Sequence, residues 1–267
     1  MKVDVFDLQG QPKEKIDLPK VFSEPIREDL IRRACLVSLS KQRQSYGVDP
    51  MAGKRTSAHY HGVRRGRYSM MNREMARMPR SHGKLSPHLM WRPAFVPQAT
   101  GGREAHPPKV EKIWGLKINR KERQKAIRSA IAATASKELV FKRGHRMDSI
   151  KELPIVVVDG VQEMKKTKDV VEFLKKIGLE KELDRISEKK IRAGRGKLRG
   201  RKYKKKIGPL FVVTEDKGIS RAAKSIQGAN VCRPQNLSVL YLAPGTVAGR
   251  LTIWSRSAIE NLEKKTW

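Results

Sequence analysis

Residues 2–6, KVDVF, alternate polar and apolar side chains, the period of a strand with one face buried. Beyond Pro25, IREDLIRRACLVSLSKQ sets Ile26, Leu30, Ala34 and Val37 at helical spacing, and Ser23 and Pro25 suit the entrance of that predicted helix. A second helix is expected after Asn119, which has capping-box spacing to Glu122, with AIRSAIAATA supplying a small-residue face for close packing. LPIVVVDG (153–160) and GPLFVVTE (208–215) are short unbroken apolar runs between Pro, Gly and acids, as in central strands buried on both faces of a parallel sheet. TKDVVEFLKKIG predicts a helix stopped at Gly178, and SRSAIENLEKK one entered at Ser257 with Glu260 three residues on. The predicted class is α/β, a mostly parallel sheet flanked by helices on both faces, formed by residues 1–46 and 109–267.

Residues 47–108 break this pattern. They lack sustained periodicity and collect Gly, Pro, His, Met and Arg, and a connection this long is either functional or disordered. The segment is expected to be a long, irregular, extended insertion without a core of its own, ordered only when surrounded.

Charge changes the picture from fold to partner. The chain holds 59 basic against 27 acidic residues, a formal net charge of +32. Such self-repulsion opposes compaction and implies a polyanion, most commonly nucleic acid. The excess is concentrated: 189–208, KKIRAGRGKLRGRKYKKKIG, carries eleven Lys and Arg, four Gly, one Tyr and no acid. In the insertion Arg outnumbers Lys, and Tyr60, Tyr68, Trp91 and Phe95 offer stacking groups, a bias that suits structured RNA. The residues expected to bind RNA are therefore Lys54, Arg55, Arg64, Arg65, Arg67, Arg92 and Arg103 in the insertion. In the Gly-rich segment they are Lys190, Arg192, Arg195, Lys197, Arg199, Arg201, Lys202, Tyr203 and Lys204. A membrane partner is not expected, since MKVDVFDLQGQ has no apolar stretch of signal-peptide length and runs such as IVVVD are too short to span. Cys35 and Cys232 sit in apolar segments without ligand spacing, which predicts buried spectator thiols in a reducing compartment.

Cofactor and catalytic motifs fail on spacing. GVDPMAGKRT puts five residues between Gly47 and Gly53 and Arg55 where a phosphate loop needs a hydroxyl, and GRGKLRG (194–200) lacks dinucleotide spacing. His59, His61, His82, His88 and His106 gather in the insertion, but with no cysteine or finger spacing they are expected to face RNA rather than a metal. Met51, Met70, Met71, Met75, Met78 and Met90 suit either a partner surface or flexible gap-filling. Asp159 and Glu215 lie at strand ends, where ordinary capping roles are expected. No catalytic residue, metal or cofactor is assigned. An RNA-modifying enzyme with a cofactor-binding α/β domain, or a duplex-DNA binder, remains the alternative.

Several segments together carry a resemblance: DPMAGKRTS, RPAFVPQATGGREAHPPKVEK, AIRSAIAATAS, LPIVVVDG, KIRAGRGKLRGRKYKKKIGPLFVV and LAPGTVAGRLTIWSRSAIENL. In this order, and across almost the whole chain, they resemble the large-subunit ribosomal protein L-four family in its archaeal and eukaryotic form. The end at Trp267, without the long basic extension of eukaryotic members, is similar to the archaeal type. The resemblance implies a cytoplasmic, non-enzymatic constituent of the ribosome. Its partners would be large-subunit ribosomal RNA, neighbouring large-subunit proteins and the nascent peptide. It also implies that the insertion penetrates RNA, that 189–208 is a second RNA-embedded element, and that Arg73, Arg77 and Arg80 line the peptide exit tunnel.

Overall fold

The computed structural model describes residues 2–147, 150 and 152–264; Lys265, the last residue of the final expected helix, and Trp267 lie outside them. Two compact units divide the chain, Met1–Gln42 with Gly115–Trp267, and Arg43–Trp114.

The first unit runs β1 (Lys2–Phe6), β2 (Pro12–Asp17), α1 (Glu28–Lys41), α2 (Arg120–Ala135), α3 (Lys137–Lys142), β3 (Ile155–Val157), α4 (Thr167–Lys176) and α5 (Glu180–Ser187). It continues with β4 (Lys190–Ile191), β5 (Tyr203–Lys204), β6 (Leu210–Val212), α6 (Ile219–Lys224), β7 (Asn230–Cys232), α7 (Val239–Leu242), β8 (Thr252–Ser255) and α8 (Arg256–Lys264). Six strands form one sheet in the order β2-β1-β3-β8-β6-β7, every neighbouring pair parallel except the β1–β2 edge hairpin. Lys13 and Lys15 on that exposed edge strand discourage further strand pairing.

Alternation along the central strands sorts the core into two layers. Val156, Leu210, Val212 and Trp254 face a cluster with Ile31 and Ala34 of α1 and Ala126, Ala130 and Ile131 of α2. Ile155, Val157, Phe211 and Ile253 face the opposite cluster, with Val170, Phe173 and Leu174 of α4 and Ile219 and Ala222 of α6. Both runs expected to be doubly buried strands are so, and helices cover both faces.

Helix ends depart from the expected caps. The first helix starts at Glu28, and the Arg27 N–H at its entrance donates to the Ser129 hydroxyl of α2 at 2.6 Å, while Ser23 lies in a separate short turn. Of its expected apolar stripe, Ala34 and Val37 are buried with Ile31 and Cys35, but Ile26 precedes the helix and is exposed. Asn119 flanks α2 without a side-chain cap, and Glu122 pairs with Arg33, 2.9 Å away on α1, instead of closing a capping box. Ser255, not Ser257, accepts the Ala258 N–H of α8 at 3.3 Å; Ser257 turns to Asp159, donating its hydroxyl at 2.6 Å. The stop after α4 is as expected: Gly178 (φ +90°) closes a paired arrangement in which the Gly178 N–H donates to Lys175 and the Leu179 N–H to Leu174.

Buried polar groups hold the C-terminal end of the 189–208 segment. Glu182 of α5, 1% exposed, accepts from His145 Nδ1 (2.7 Å), the Arg146 N–H (3.0 Å), and Arg185 Nε and Nη2 (2.7 and 2.6 Å). The Nη2 of Arg185 also donates to the Ile207 carbonyl at 2.6 Å. Beside it, Arg250 is 2% exposed and donates to the carbonyls of Gly208, Tyr241 and Gly228 and to the Asn230 side chain. Burial lowers the Arg250 pKa to about 10, so it stays charged at neutral pH, its field met by carbonyl dipoles instead of a carboxylate.

Burial alone would raise the Glu182 pKa, but the hydrogen bonds from Arg185 and His145 outweigh it and hold the carboxyl below its ordinary 4.5. Burial pushes His145 below its ordinary 6.5 despite Glu182, so the neutral imidazole donates Nδ1–H to the carboxylate. Both folded values are depressed, so both groups contribute stability at neutral pH that is lost on acidification. The loss begins below pH 6.5, where the unfolded chain protonates His145 first, and Glu182 adds to it below pH 4.5. Urea denaturation across that range should show this slope. Glu182→Gln, which leaves Arg185 without its counter-charge, should cost about 3 kcal/mol at pH 7 and flatten the lower part of the profile.

Candidate nucleic-acid interface

The segment from Lys189 to Lys206 is a two-stranded hairpin standing off the sheet. Strands β4 and β5 pair antiparallel, with Lys190 opposite Lys204 and Ile191 opposite Tyr203. Between them, Arg195–Lys197 make a short helical turn, entered at Gly194 and left before Gly200, both with φ near +75 to +80°. A Cβ on either glycine would meet nothing within 4 Å, so it is the left-handed backbone and not crowding that favours glycine there.

Lys190, Arg195, Lys197, Arg199, Arg201, Lys202, Tyr203 and Lys204 are all exposed. Arg192 is half-buried; its N–H donates to Lys202 and its Nε to the Arg201 carbonyl, so it closes the hairpin as well as adding charge. Lys202 and Lys189 lie 5.5 and 6.0 Å from the Tyr203 ring centre. At the foot of the hairpin, Arg143, His145, Arg185, Lys190, Lys204 and Lys206 line an open hollow of ≈ 560 Å³.

The second unit, Arg43–Trp114, doubles the chain back on itself. The Val48 N–H donates to the Pro108 carbonyl, and the Gly53 backbone lies so close to Gly102 and Arg103 that a Cβ would fall 2.6 Å from their atoms. That contact brings Lys54 beside Arg103, while Arg55 is paired with Asp49. Bridges join His59 to Arg80 and Arg80 to Pro93. Arg64, Arg65, Arg67 and Arg92 are exposed, with Arg67 5.0 Å from the Tyr68 ring centre. Of the three arginines expected at the tunnel, Arg73 lies 4.2 Å over Trp91, Arg80 donates to the Ala76 and Trp91 carbonyls, and Arg77 is exposed.

The absence of any interior in this unit needs correction. Met70 is 2% exposed and Ser69 is also buried, next to a ring cluster of His59, His61, Tyr68, His82 and Trp91. The ligating nitrogens of His59, His61 and His82 lie within 4.8 Å of one another. Burial and then its two imidazole neighbours push His82 below its ordinary value. Of these three, only the His59–Tyr60–His61 spacing could have suggested convergence from sequence; His82 comes in through backbone pairing.

Elsewhere, the groups singled out for possible chemistry have structural partners. Asp159 accepts from Ser257 N–H and Oγ and from Gln162, and Gln162 accepts the Glu215 N–H, so the sheet's carboxyl edge is tied by hydrogen bonds. Both cysteines are buried free thiols; burial raises Cys35 and pushes Cys232 up to about 12, which makes them inert. No described helix is long and apolar enough to cross a membrane.

Comparison with known proteins identifies the family. Residues 16–265 match the family described as "Ribosomal protein L4/L1 family". A protein from Methanosphaera stadtmanae named "Large ribosomal subunit protein uL4" is 46% identical over 98% of this chain and 96% of its own length. Similarly named proteins from Methanopyrus kandleri and Halobacterium salinarum are 45% and 42% identical, each over 99% of this chain and 99% and 100% of their own lengths. With a family match over nearly all of the sequence and full-length archaeal relatives, the chain belongs to the ribosomal protein L4/L1 family.

Proposed function

We propose that this protein is a structural, non-enzymatic constituent of the large ribosomal subunit. It binds and stabilises ribosomal RNA through the 189–208 hairpin and the 47–108 insertion, beside neighbouring large-subunit proteins. Family membership supports the ribosomal setting, in the cytoplasm. The observation that carries RNA binding is the hairpin itself. Eleven cations and no acid are held on a rooted scaffold, with Lys190 set directly opposite Lys204. Opposed like charges destabilise a strand pair in water, and attraction of both to a bound polyanion offsets that repulsion. Most of these side chains are exposed and free to reach phosphates, and the glycines let backbone and nucleic acid approach closely.

In the insertion, the guanidinium groups of Arg64, Arg65, Arg67 and Arg92 are presented in the same way, with Lys54 and Arg103 near its neck. The middle of the insertion lines the peptide exit tunnel in this reading, where it meets the nascent peptide. About sixty residues doubled back can span roughly 90 to 100 Å, so reach does not limit it. Arg77 is the freest of the three candidate side chains there, since Arg73 and Arg80 already hold Trp91 and the loop backbone.

Replacing Arg195, Lys197, Arg199, Arg201 and Lys202 with uncharged residues tests the hairpin. Affinity for the cognate ribosomal RNA should fall and the log–log salt slope become shallower by roughly 0.7 to 0.9 per lost phosphate contact, with the α/β unit still folded. Duplex DNA at the same salt should compete poorly. An unchanged slope would remove the hairpin from the RNA contacts.

Shortening the insertion from Ser69 to Lys84 tests the tunnel assignment. Subunits should still assemble, because the insertion's neck and the hairpin are untouched, but nascent-chain arrest or the response to tunnel-binding antibiotics should change. A particle structure with residues 73–80 on the solvent surface would refute the tunnel role while leaving RNA binding standing.

A further inference from the structure

We propose that His59, His61 and His82 form a three-histidine site for a zinc-class divalent ion that staples the Arg43–Trp114 unit. The evidence is geometric. Among the described residues this is the one cluster of three or more His, Cys, Asp or Glu side chains with ligating atoms mutually within 4.8 Å. The ring centres of His59 and His61 are 4.2 Å apart, those of His59 and His82 4.3 Å, and those of His61 and His82 4.6 Å.

The nitrogens are arranged as ligands. His59 Nδ1 lies 2.9 Å from the Ser57 carbonyl. A carbonyl can only accept, so this contact puts the proton on Nδ1 and leaves the Nε2 lone pair for a metal. Such an outer-shell carbonyl is a regular companion of metal-bound histidine. His61 Nε2 and His82 Nε2 face each other at 2.8 Å, and a single proton must be shared between them if nothing else is. Tetrahedral coordination with bonds of about 2.0 to 2.1 Å separates two ligating nitrogens by about 3.3 Å. Opening the His61–His82 pair by about half an ångström therefore exchanges the shared proton for a metal.

The ligand set and surroundings decide which ion fits. Three imidazoles without thiolate or carboxylate suit a borderline cation such as Zn²⁺ and leave a fourth position open. No carboxylate belongs to the trio, so the bound ion keeps its positive charge, which favours a hydroxide or another anionic oxygen in that fourth position. The nearby guanidinium groups do not block the site by binding the rings: Arg80 is held by the Ala76 and Trp91 carbonyls, and Arg73 by the Trp91 face.

A staple at this point answers a deficit in the unit. Only Ser69 and Met70 are buried between Arg43 and Trp114, and small units without a sufficient core are commonly held by metals or disulfides. The three ligands come from two separated segments. The first is secured by the Met70 N–H bond to the His61 carbonyl, and the second by the reciprocal backbone bonds of Ser81 with Trp91 and Arg92. Stacking of Tyr68 on His82, 4.4 Å between ring centres, holds the third ligand's ring in plane.

The test uses the full-length chain, stripped of metal and titrated with Co²⁺ and then Zn²⁺. One equivalent of Co²⁺ should give the intense visible bands of four-coordinate cobalt, and Zn²⁺ should displace it. His82→Gln and the double variant His59→Gln/His61→Gln should each weaken uptake at least about tenfold, whereas His88→Gln and His106→Gln should not. Zinc-edge X-ray absorption of the loaded wild type should show a shell of nitrogen and oxygen neighbours with histidine scattering, a readout independent of any variant's folding. Absence of four-coordinate bands in the wild type would overturn the proposal, leaving a hydrogen-bonded imidazole cluster only. Uptake unchanged in His82→Gln would overturn it equally.

Discussion

Like-charge repulsion is the constraint to which this fold answers. A chain with 59 basic residues cannot bury its excess, yet cations on an unanchored tail would meet a polyanion with no fixed register. The α/β unit meets both demands at the root of its hairpin. Glu182, the one buried acid among the described residues, neutralises Arg185, and Arg185 in turn holds the Ile207 carbonyl. Arg250 holds the next carbonyl, that of Gly208. Two guanidinium groups inside the fold thereby fix the point where the exposed cations begin. Buried ion pairs contribute little net stability against a hydrophobic alternative, but they specify geometry. Here the geometry specified is the exit of a charged ribbon from a neutral core.

The layered core was legible because its signal is dense. Each of the runs around Ile155–Val157 and Leu210–Val212 is bounded by Gly, Pro or acids, and each strand contributes alternate side chains to the two layers. Helix entrances were less legible for a physical reason. Ser, Asn and Glu are good local partners for a helix end, but tertiary partners outbid them. Ser129 of α2 serves the entrance of α1, Arg33 pairs with Glu122 in place of a capping box at Asn119, and Asp159 captures Ser257 so that Ser255 does the capping. In each case a residue distant in sequence wins, and spacing alone contains no information about it.

The cationic segments differ in what sequence revealed. Eleven Lys and Arg in 189–208 announced a charged element, yet nothing in the stretch itself predicts that Glu182, Arg185 and Arg250 hold its base. Those residues read as ordinary helix and strand-end side chains until their burial is known. The insertion was legible as a break in periodicity, and its small interior was not. Period-based reading looks for recurring aliphatic residues, whereas here two buried residues, Ser69 and Met70, sit beside a half-exposed cluster of imidazole, phenol and indole rings.

Hairpin and insertion therefore represent two solutions to holding positive charge outside a core. The hairpin borrows rigidity from the sheet through hydrogen bonds to its backbone at Ile207 and Gly208, so its own two-residue strands need little intrinsic stability. The insertion must generate order locally. Glycine lets its limbs touch at Gly53 and Gly102–Arg103, and Arg73 and Arg80 spend part of their cationic character on the face and carbonyl of Trp91. Each arginine used in that way is one fewer presented freely to phosphate. Ordering the loop through its rings thus engages Arg67, Arg73 and Arg80 in part, and leaves the exposed guanidinium groups of Arg64 and Arg65 for the proposed RNA contact.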